Sequence, residues 1–223
     1  GECNLFAGLS AEDSPDYSNI LQKACDNPDI PLPQLSSIRF GFESARWSLE
    51  AKGSQKMIDT PFSRGEEAIT INGLVWMGDK RTMLRRMREK IDSGFRCVKL
   101  KIGGIDFQEE LSILDTLRKE FTVEDIELRL DANGAFSPEN AMERLERLSR
   151  YNIHSIEQPI RAGQWQEMAR LCEHSPIPIA LDEELIGFSS DASKEMLLDT
   201  VQPQYIILKP ALCGGFAEAE ILT

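Results

Sequence analysis

A short alternating segment reads Val98-Lys99-Leu100-Lys101-Ile102-Gly103. Because side chains of a strand point alternately to its two faces, Lys99 and Lys101 share one face and the three apolar residues share the other. In a barrel, the apolar face would pack against helices and the two amines would enter the lumen. On its own, the pattern is weak and favours a solvated edge strand with two surface lysines.

Similar apolar segments recur along the chain and alternate with amphipathic helical patterns. One predicted helix has Ser137 as its N-cap and Pro138 at its first position. A repeat of six such units, each about 25 to 30 residues long, predicts a parallel sheet covered by helices. The predicted strands are Ile69–Met77, Cys97–Ile102, Ile126–Asp131, Ile153–Glu157, Ile177–Asp182 and Tyr205–Lys209.

The strand ends favour a barrel over an open, doubly wound sheet. No strand-to-helix turn carries a G-x-G-x-x-G or G-x-x-x-x-G-K-[ST] motif, and polar residues end strand after strand. A complete barrel has eight strands, so we expect further strands of the natural barrel to lie outside this sequence. Residues 1–35 are rich in Pro, Asp, Ser and Asn and predict loops and short elements, whereas residues 37–49 predict a helix.

One carboxylate ends each of three successive predicted strands. These residues are Asp131, Glu157 and Asp182, separated by 26 and 25 residues. Neighbouring parallel strands lie about 4.8 Å apart, so the three side chains could converge. Converging carboxylates repel one another unless a cation is present, and Mg²⁺ prefers oxygen ligands of this kind. The alternative is that each acidic residue only caps the helix that follows it.

The sixth predicted strand ends in Ile207-Leu208-Lys209-Pro210. Lys209 would then face the carboxylates from the side opposite Lys99 and Lys101. A cation between amines suits removal of a proton from a carbon next to a carboxylate, with a partly neutral lysine as the base.

The order K-x-K, D-A-N, E-Q-P, D-E and K-P on consecutive strands resembles the enolase superfamily, in the branch that includes muconate cycloisomerases, dipeptide epimerases and o-succinylbenzoate synthases. Residues 71–78, the Arg129-Leu130-Asp131 sequence and residues 207–210 are most similar to the o-succinylbenzoate synthases. The resemblance implies an α/β fold. It would comprise a partial α+β capping domain at residues 1–60 and an incomplete (β/α) barrel of the enolase type at residues 61–223, units one to six.

The resemblance also implies roles for individual residues. Asp131, Glu157 and Asp182 match the family's Mg²⁺ ligands, which also accept Mn²⁺. Lys101 matches the base that removes the α-proton, and Lys99 matches the partner that positions the substrate carboxylate. Four further residues are expected to contact substrate or the ligands, although capping, solvated or turn roles fit some of them equally well. The full set of implied residues is Lys99, Lys101, Lys209, Asp131, Glu157, Asp182, Arg129, Asn133, Glu183 and Gly214.

The implied activity is Mg²⁺-dependent dehydration of 2-succinyl-6-hydroxy-2,4-cyclohexadiene-1-carboxylate to o-succinylbenzoate, a step of menaquinone biosynthesis. The enzyme would be a lyase. One alternative is an N-acylamino acid racemase or dipeptide epimerase on the same scaffold. A second is a barrel that binds metal without catalysis.

Composition limits the remaining classes of function. The 223 residues include 37 Asp plus Glu and 25 Lys plus Arg, giving a formal net charge of −12. A chain this acidic repels the phosphate backbone, which excludes a generic nucleic-acid binder. No apolar run approaches the roughly 18 to 20 residues of a membrane helix. Five scattered cysteines without a C-x-x-C pair favour a cytoplasmic location. A small carboxylate substrate is the expected partner, and a homo-oligomer is compatible with the sequence.

Overall fold

The computed structural model describes residues 1–32, 34–54, 56–188 and 190–223. These residues form two compact units. The helical unit comprises Gly1–Ile69, Leu185–Met196 and Leu208–Thr223, and the sheet unit comprises Thr70–Glu184 and Leu197–Ile207. The predicted boundary at residue 60 between a cap and a barrel stays a prediction.

The sheet unit contains a six-stranded parallel sheet in the order β1-β2-β3-β4-β5-β6. Each strand therefore pairs with the strands that precede and follow it in the chain, as expected for consecutive β-α units. Among the described residues, β1 and β6 each pair with a single neighbour. The strands are β1 (Gly73–Val75), β2 (Cys97–Lys101), β3 (Glu127–Asp131), β4 (Ile153–Glu157), β5 (Ile179–Leu181) and β6 (Tyr205–Ile206).

Helices alternate with the strands, which confirms the predicted α/β pattern. Two short 3₁₀ helices, Ser149–Tyr151 and Glu183–Leu185, lie between them. None of the helices in the described part of the chain is long and apolar enough to cross a membrane. The α-helices are α1 (Tyr17–Asp26), α2 (Ser36–Glu50), α3 (Lys80–Asp92), α4 (Phe107–Glu120), α5 (Pro138–Leu148), α6 (Trp165–His174), α7 (Asp191–Val201), α8 (Pro210–Cys213) and α9 (Phe216–Glu220).

Alternation along β2 follows the prediction. Val98 and Leu100 are buried, whereas Lys99 and Lys101 keep part of their surface accessible. The apolar residues of β3 and β4 are buried in the same way, and leucines of the covering helices pack into the same core. Core residues of the sheet unit include Val98, Leu100, Leu114, Leu117, Leu128, Leu130, Leu145, Ile156 and Ile179.

The strand boundaries match best in the middle of the sheet. β4 has the predicted bounds, and β2 and β3 differ by a single residue at one end. β5 is three residues long where Ile177–Asp182 is predicted, β1 is three residues long where Ile69–Met77 is predicted, and β6 is two residues long where Tyr205–Lys209 is predicted. β1 and β6 are edge strands of the described sheet, with hydrogen-bonding partners on one side only, so the apolar pattern alone overestimates their length.

The helical unit contains a helix within the segment for which the sequence predicts loops and short elements. In α1, Tyr17 is buried against Ile38 of α2, and the Tyr17 hydroxyl is 2.7 Å from the Ser37 hydroxyl. Near the other end of α2, the Trp47 ring stacks on Phe216 with a centroid separation of 4.7 Å. Abundant Pro, Asp and Ser residues around α1 hide its short apolar face in the sequence.

Arg118 connects the end of α4 to the start of two strands. Its Nε donates a hydrogen bond to the carbonyl oxygen of Tyr151 at 2.8 Å, and Nη2 donates to that of Asn152 at 3.1 Å. Nη1 donates to the carbonyl oxygens of Thr122 at 3.1 Å and Ile126 at 2.9 Å. Partial burial lowers the pKa of Arg118 from its ordinary value. The planar guanidinium thus satisfies four backbone acceptors that one aliphatic side chain could not.

Replacing Arg118 with Met is expected to lower the free energy of unfolding by about 2 to 3 kcal/mol, because four carbonyl oxygens lose a charged donor. Urea denaturation monitored by circular dichroism measures the change. The control is Arg85→Met, since Arg85 pairs with Glu89 on the exposed face of α3 and such pairs contribute less than about 1 kcal/mol. Equal losses in the two variants would contradict the assigned role of Arg118.

Candidate active site

Three carboxylates meet at the carboxyl ends of the central strands. Lys101 lies opposite Asp131 in the register of β2 and β3, and Asp131 lies opposite Glu157 in the register of β3 and β4. Asp182 directly follows Leu181, the last residue of β5. The exposed fractions of Asp131, Glu157 and Asp182 are 1%, 3% and 2%. The sheet therefore brings together three acidic side chains that the chain separates, and removes them from bulk water.

Two lysine amines contact these carboxylates. Lys99 Nζ is 2.7 Å from Glu157 Oε2 and 3.5 Å from Asp131 Oδ2. Lys101 Nζ is 2.8 Å from Asp131 Oδ2. Both amines come from the predicted face of β2, so the alternative of two surface lysines on a solvated edge strand is wrong. With all groups ionised, these two amines carry two positive charges against the three negative charges of the carboxylates.

The environment of Glu157 shows the cost of this crowding. Burial, the charge of Asp131 and a contact with Asp182 together raise the pKa of Glu157 to about 7, against the opposing effect of Lys99. Burial alone would lower the pKa of Lys99, but its contacts with Glu157 and Asp131 outweigh this and raise the pKa above its ordinary value. An additional cation at this edge would favour ionised Glu157.

The donor set fits a hard divalent cation. Glu157 Oε1 is buried and has no hydrogen-bond partner among the described residues. Buried carboxylate oxygens are normally paired, so an oxygen left over beside two other carboxylates suits a metal ligand. As the side chains stand, no three acidic, cysteine or histidine residues of the described ranges are arranged to reach one ion together. The amines of Lys99 and Lys101 contact the other oxygen of Glu157 and one oxygen of Asp131.

Asn133 and Glu183 lie beside the amine of Lys101. Lys101 Nζ donates to Asn133 Oδ1 at 2.6 Å, and Asn133 Nδ2 donates to Glu183 Oε1 at 2.8 Å. The backbone N–H of Asn133 donates to Asp131 Oδ1 at 3.1 Å. These contacts place both residues against the cluster. Their role toward a substrate stays a prediction.

Trp76 is a neighbour of Lys101 that sequence reasoning missed. The Lys101 amine lies over its indole ring, 4.9 Å from the centroid, and Trp76 as a whole residue is 57% exposed. Arg86 Nη1 holds the backbone beside it by donating to the carbonyl oxygens of Trp76 and Met77, both at 3.2 Å. The sequence did contain a signal for this contact. Trp76 follows β1 directly and, two residues after the exposed Leu74, shares its face of the strand, on the side of Lys99 and Lys101.

Arg129 lies opposite Lys99 in the strand register, but its guanidinium is engaged elsewhere. Its Nε donates to Glu127 Oε1 at 2.8 Å. Arg129 also lines a cavity of about 300 Å³ together with Lys99 and Glu157. The predicted contact of Arg129 with substrate therefore depends on this cavity and stays a prediction.

Lys209 and Gly214 belong to the helical unit. Lys209 is the N-cap residue of α8 and lines an apolar cavity of about 560 Å³ together with Phe6 and Phe40. Gly214 ends α8 with φ +106°, a conformation that side chains disfavour, and a Cβ there would lie 3.0 Å from Glu218 Cγ. The turn explains why glycine is present at 214. The predicted roles of Lys209 and Gly214 in catalysis stay predictions.

The chain is similar to known proteins in sequence and in fold. The model of the family described as "Enolase C-terminal domain-like" matches residues 82–221. The o-succinylbenzoate synthase of Desulfotalea psychrophila is 51% identical over 90% of this chain, which covers 54% of that relative. The chain thus spans about half the length of this curated relative.

Solved structures show the same fold. The crystal structure of MenC from Desulfotalea psychrophila has a TM-score of 0.78 at 43% identity, covering 96% of this chain and 60% of that one. The o-succinylbenzoate synthase of Thermosynechococcus elongatus, complexed with Mg in its active site, has a TM-score of 0.73 at 23% identity, covering all of this chain and 67% of that one. These likenesses confirm the predicted enolase-type barrel architecture. The chain belongs to the Enolase C-terminal domain-like family of the enolase superfamily.

Proposed function

We propose that this chain carries the catalytic groups of an o-succinylbenzoate synthase. The reaction is the Mg²⁺-dependent dehydration of 2-succinyl-6-hydroxy-2,4-cyclohexadiene-1-carboxylate, a lyase step that serves menaquinone biosynthesis. The observation that carries the proposal is the cluster of buried carboxylates and lysine amines on adjoining strand ends, in a chain 51% identical to an o-succinylbenzoate synthase.

Asp131, Glu157 and Asp182 would hold the divalent cation, with Mg²⁺ or Mn²⁺ as the ion. Support comes from their burial, from their common position at one sheet edge and from the unpartnered Oε1 of Glu157. When bound, the cation supplies a Lewis acid that draws negative charge from the substrate carboxylate.

Lys101 is the proposed base. Its Nζ takes the α-proton, the bond between carbon and hydroxyl breaks, and Nζ returns a proton so that the hydroxide leaves as water. Asn133 supports this role because its neutral Oδ1 accepts from Nζ and can keep the amine in place when its charge changes. Lys99 is proposed to bind the substrate carboxylate, and Lys209 to stabilise by its charge the anion that forms on it.

We further propose a small carboxylate as the ligand and the cytoplasm as the compartment. The five cysteines are free thiols, which suits a reducing environment. The net charge of −12 supports a function without nucleic acid.

Mg²⁺ is expected to raise the unfolding temperature of the wild-type protein, and EDTA to reverse the change. At a concentration about 100 times Kd, the ion would add about 2.7 kcal/mol to the stability. In Asp182→Asn, Mg²⁺ should lose most of this effect, because one of the three proposed carboxylate ligands is removed. Thermal unfolding with and without Mg²⁺ measures the change in both proteins.

The matched control is Glu127→Gln, which changes a carboxylate at the opposite end of β3. It should keep the full response to Mg²⁺. A wild-type unfolding temperature that ignores both Mg²⁺ and EDTA would sink the metal assignment.

Lys101→Ala is expected to lower kcat for the dehydration by about 10² to 10⁴-fold, because a positioned base is lost. Loss of the diene absorbance of the substrate measures the rate. Lys119→Ala is the control, since Lys119 pairs with Asp115 on an exposed helix face, and it should keep the wild-type rate. Full activity of Lys101→Ala would refute the assignment of the base.

The same proteins can be incubated with an N-acylamino acid or a dipeptide in deuterated water. Exchange of the α-proton without any dehydratase activity would identify a racemase or epimerase instead. Metal binding without turnover of either substrate class would favour a non-catalytic barrel.

A further inference from the structure

Gln158 directly follows the predicted ligand Glu157 and has an unusual backbone conformation. Its φ is +40°, in the left-handed region that residues other than glycine rarely adopt, and its exposed fraction is 0%. Strained conformations of this kind persist only where surrounding contacts hold them, and they concentrate at functional sites. The contacts of the Gln158 side chain are therefore informative.

The side-chain amide of Gln158 uses all of its hydrogen-bonding capacity. Its Oε1 accepts from the backbone N–H groups of Asp182 at 3.1 Å and Glu184 at 3.2 Å. Its Nε2 donates to the carbonyl oxygen of Ile160 at 3.0 Å and to Glu184 Oε2 at 3.3 Å. An amide offers two acceptor sites and two N–H donors, and this environment presents two N–H groups and two acceptors. A carboxylate or an aliphatic side chain at 158 could not match it.

Glu184 completes the connection between the loops that follow β4 and β5. It is buried, and its Oε1 accepts from the backbone N–H of Gly163 at 2.7 Å. Its other oxygen accepts from Gln158. One carboxylate thus joins the segment after Glu157 to the segment after Asp182.

We infer that Gln158 and Glu184 are positioning residues that fix the spacing of the Glu157 and Asp182 carboxylates for a divalent cation. The backbone N–H of Asp182 is held by the side chain of the residue next to Glu157, so the two acidic residues share one rigid connection. Neither Gln158 nor Glu184 is expected to touch the cation. The inference rests on the proposed function only in that it takes these carboxylates as ligands.

The test uses Gln158→Glu, Glu184→Gln and the double variant. Mg²⁺ affinity is measured by titration calorimetry, and Mn²⁺ affinity by the loss of the free-ion signal in electron paramagnetic resonance. Gln158→Glu should weaken both affinities by about 10 to 100-fold, because a carboxylate would face the carboxylate of Glu184 and the carbonyl of Ile160 without a proton to donate. Glu184→Gln alone should have a smaller effect. The double variant should recover part of the affinity, since the amide introduced at 184 can donate to the carboxylate introduced at 158.

Two controls separate positioning from general stability. Gln164→Glu makes the same chemical change at an exposed amide that donates to the carbonyl oxygen of Arg161, and it should leave affinity within about twofold. Arg118→Met should lower stability and leave affinity unchanged. If Gln158→Glu fails to fold, the comparison of Glu184→Gln with Arg118→Met decides the point.

The outcomes for the inference and for the proposed function are distinct. A wild-type protein that binds both ions, with variants at 158 and 184 that bind equally well, would overturn the positioning role and leave the proposed function standing. Metal binding lost from Gln158→Glu and not partly restored in the double variant would also overturn the pairing with Glu184. A wild-type protein that binds neither ion would overturn both proposals.

Discussion

The structure depends on one electrostatic constraint, which is that three carboxylates are buried at the same edge of a sheet. Moving an unpaired carboxylate out of water costs several kcal/mol, so Asp131, Glu157 and Asp182 need positive charge nearby. Lys99 and Lys101 bring two amines into direct contact with Glu157 and Asp131, yet burial and the charge of Asp131 still raise the pKa of Glu157. Such an arrangement reduces the stability of the fold, so its presence indicates a role other than folding. The proposed site for a divalent cation would explain it with the residues present.

Parallel strand pairing converts spacing along the chain into this proximity. Because consecutive β-α units place each strand beside the previous one, Lys101, Asp131 and Glu157 occupy neighbouring register positions. The same alternation sends the residues between them into the helix-packed core. The two ends of the strands therefore carry different kinds of side-chain contact. Near the amino ends of β3 and β4, Arg118 ties the backbone of the α4 turn to the strands, whereas the carboxyl ends carry ionisable side chains.

The sequence was sufficient to predict the features that follow from periodicity. The shared face of Lys99 and Lys101, the convergence of the three acidic residues and the bounds of β4 all depend on a two-residue repeat and a common sheet edge. Features that depend on backbone and side-chain torsion angles were not predictable in this way. The ring of Trp76 against Lys101 needs a particular rotamer, and helix α1 has too short an apolar face to stand out among Pro and Asp residues. The roles of Lys209 and Gly214 rest on resemblance and not on the described site.

Two amide residues next to the carboxylate cluster have a left-handed backbone conformation. Asn133 and Gln158 have φ values of +42° and +40°, and each lies within two residues of a predicted ligand. The left-handed conformation costs most residues roughly 1 to 2 kcal/mol, less for asparagine and nothing for glycine, so glycine would relieve strain mainly at Gln158. It would also remove the amide that contacts Lys101 in one case and the backbone of Asp182 in the other. Local strain is therefore retained where the side chain fixes a neighbouring ionisable group. The uncharged amides of Asn133 and Gln158 therefore help to position the ionisable groups of the site.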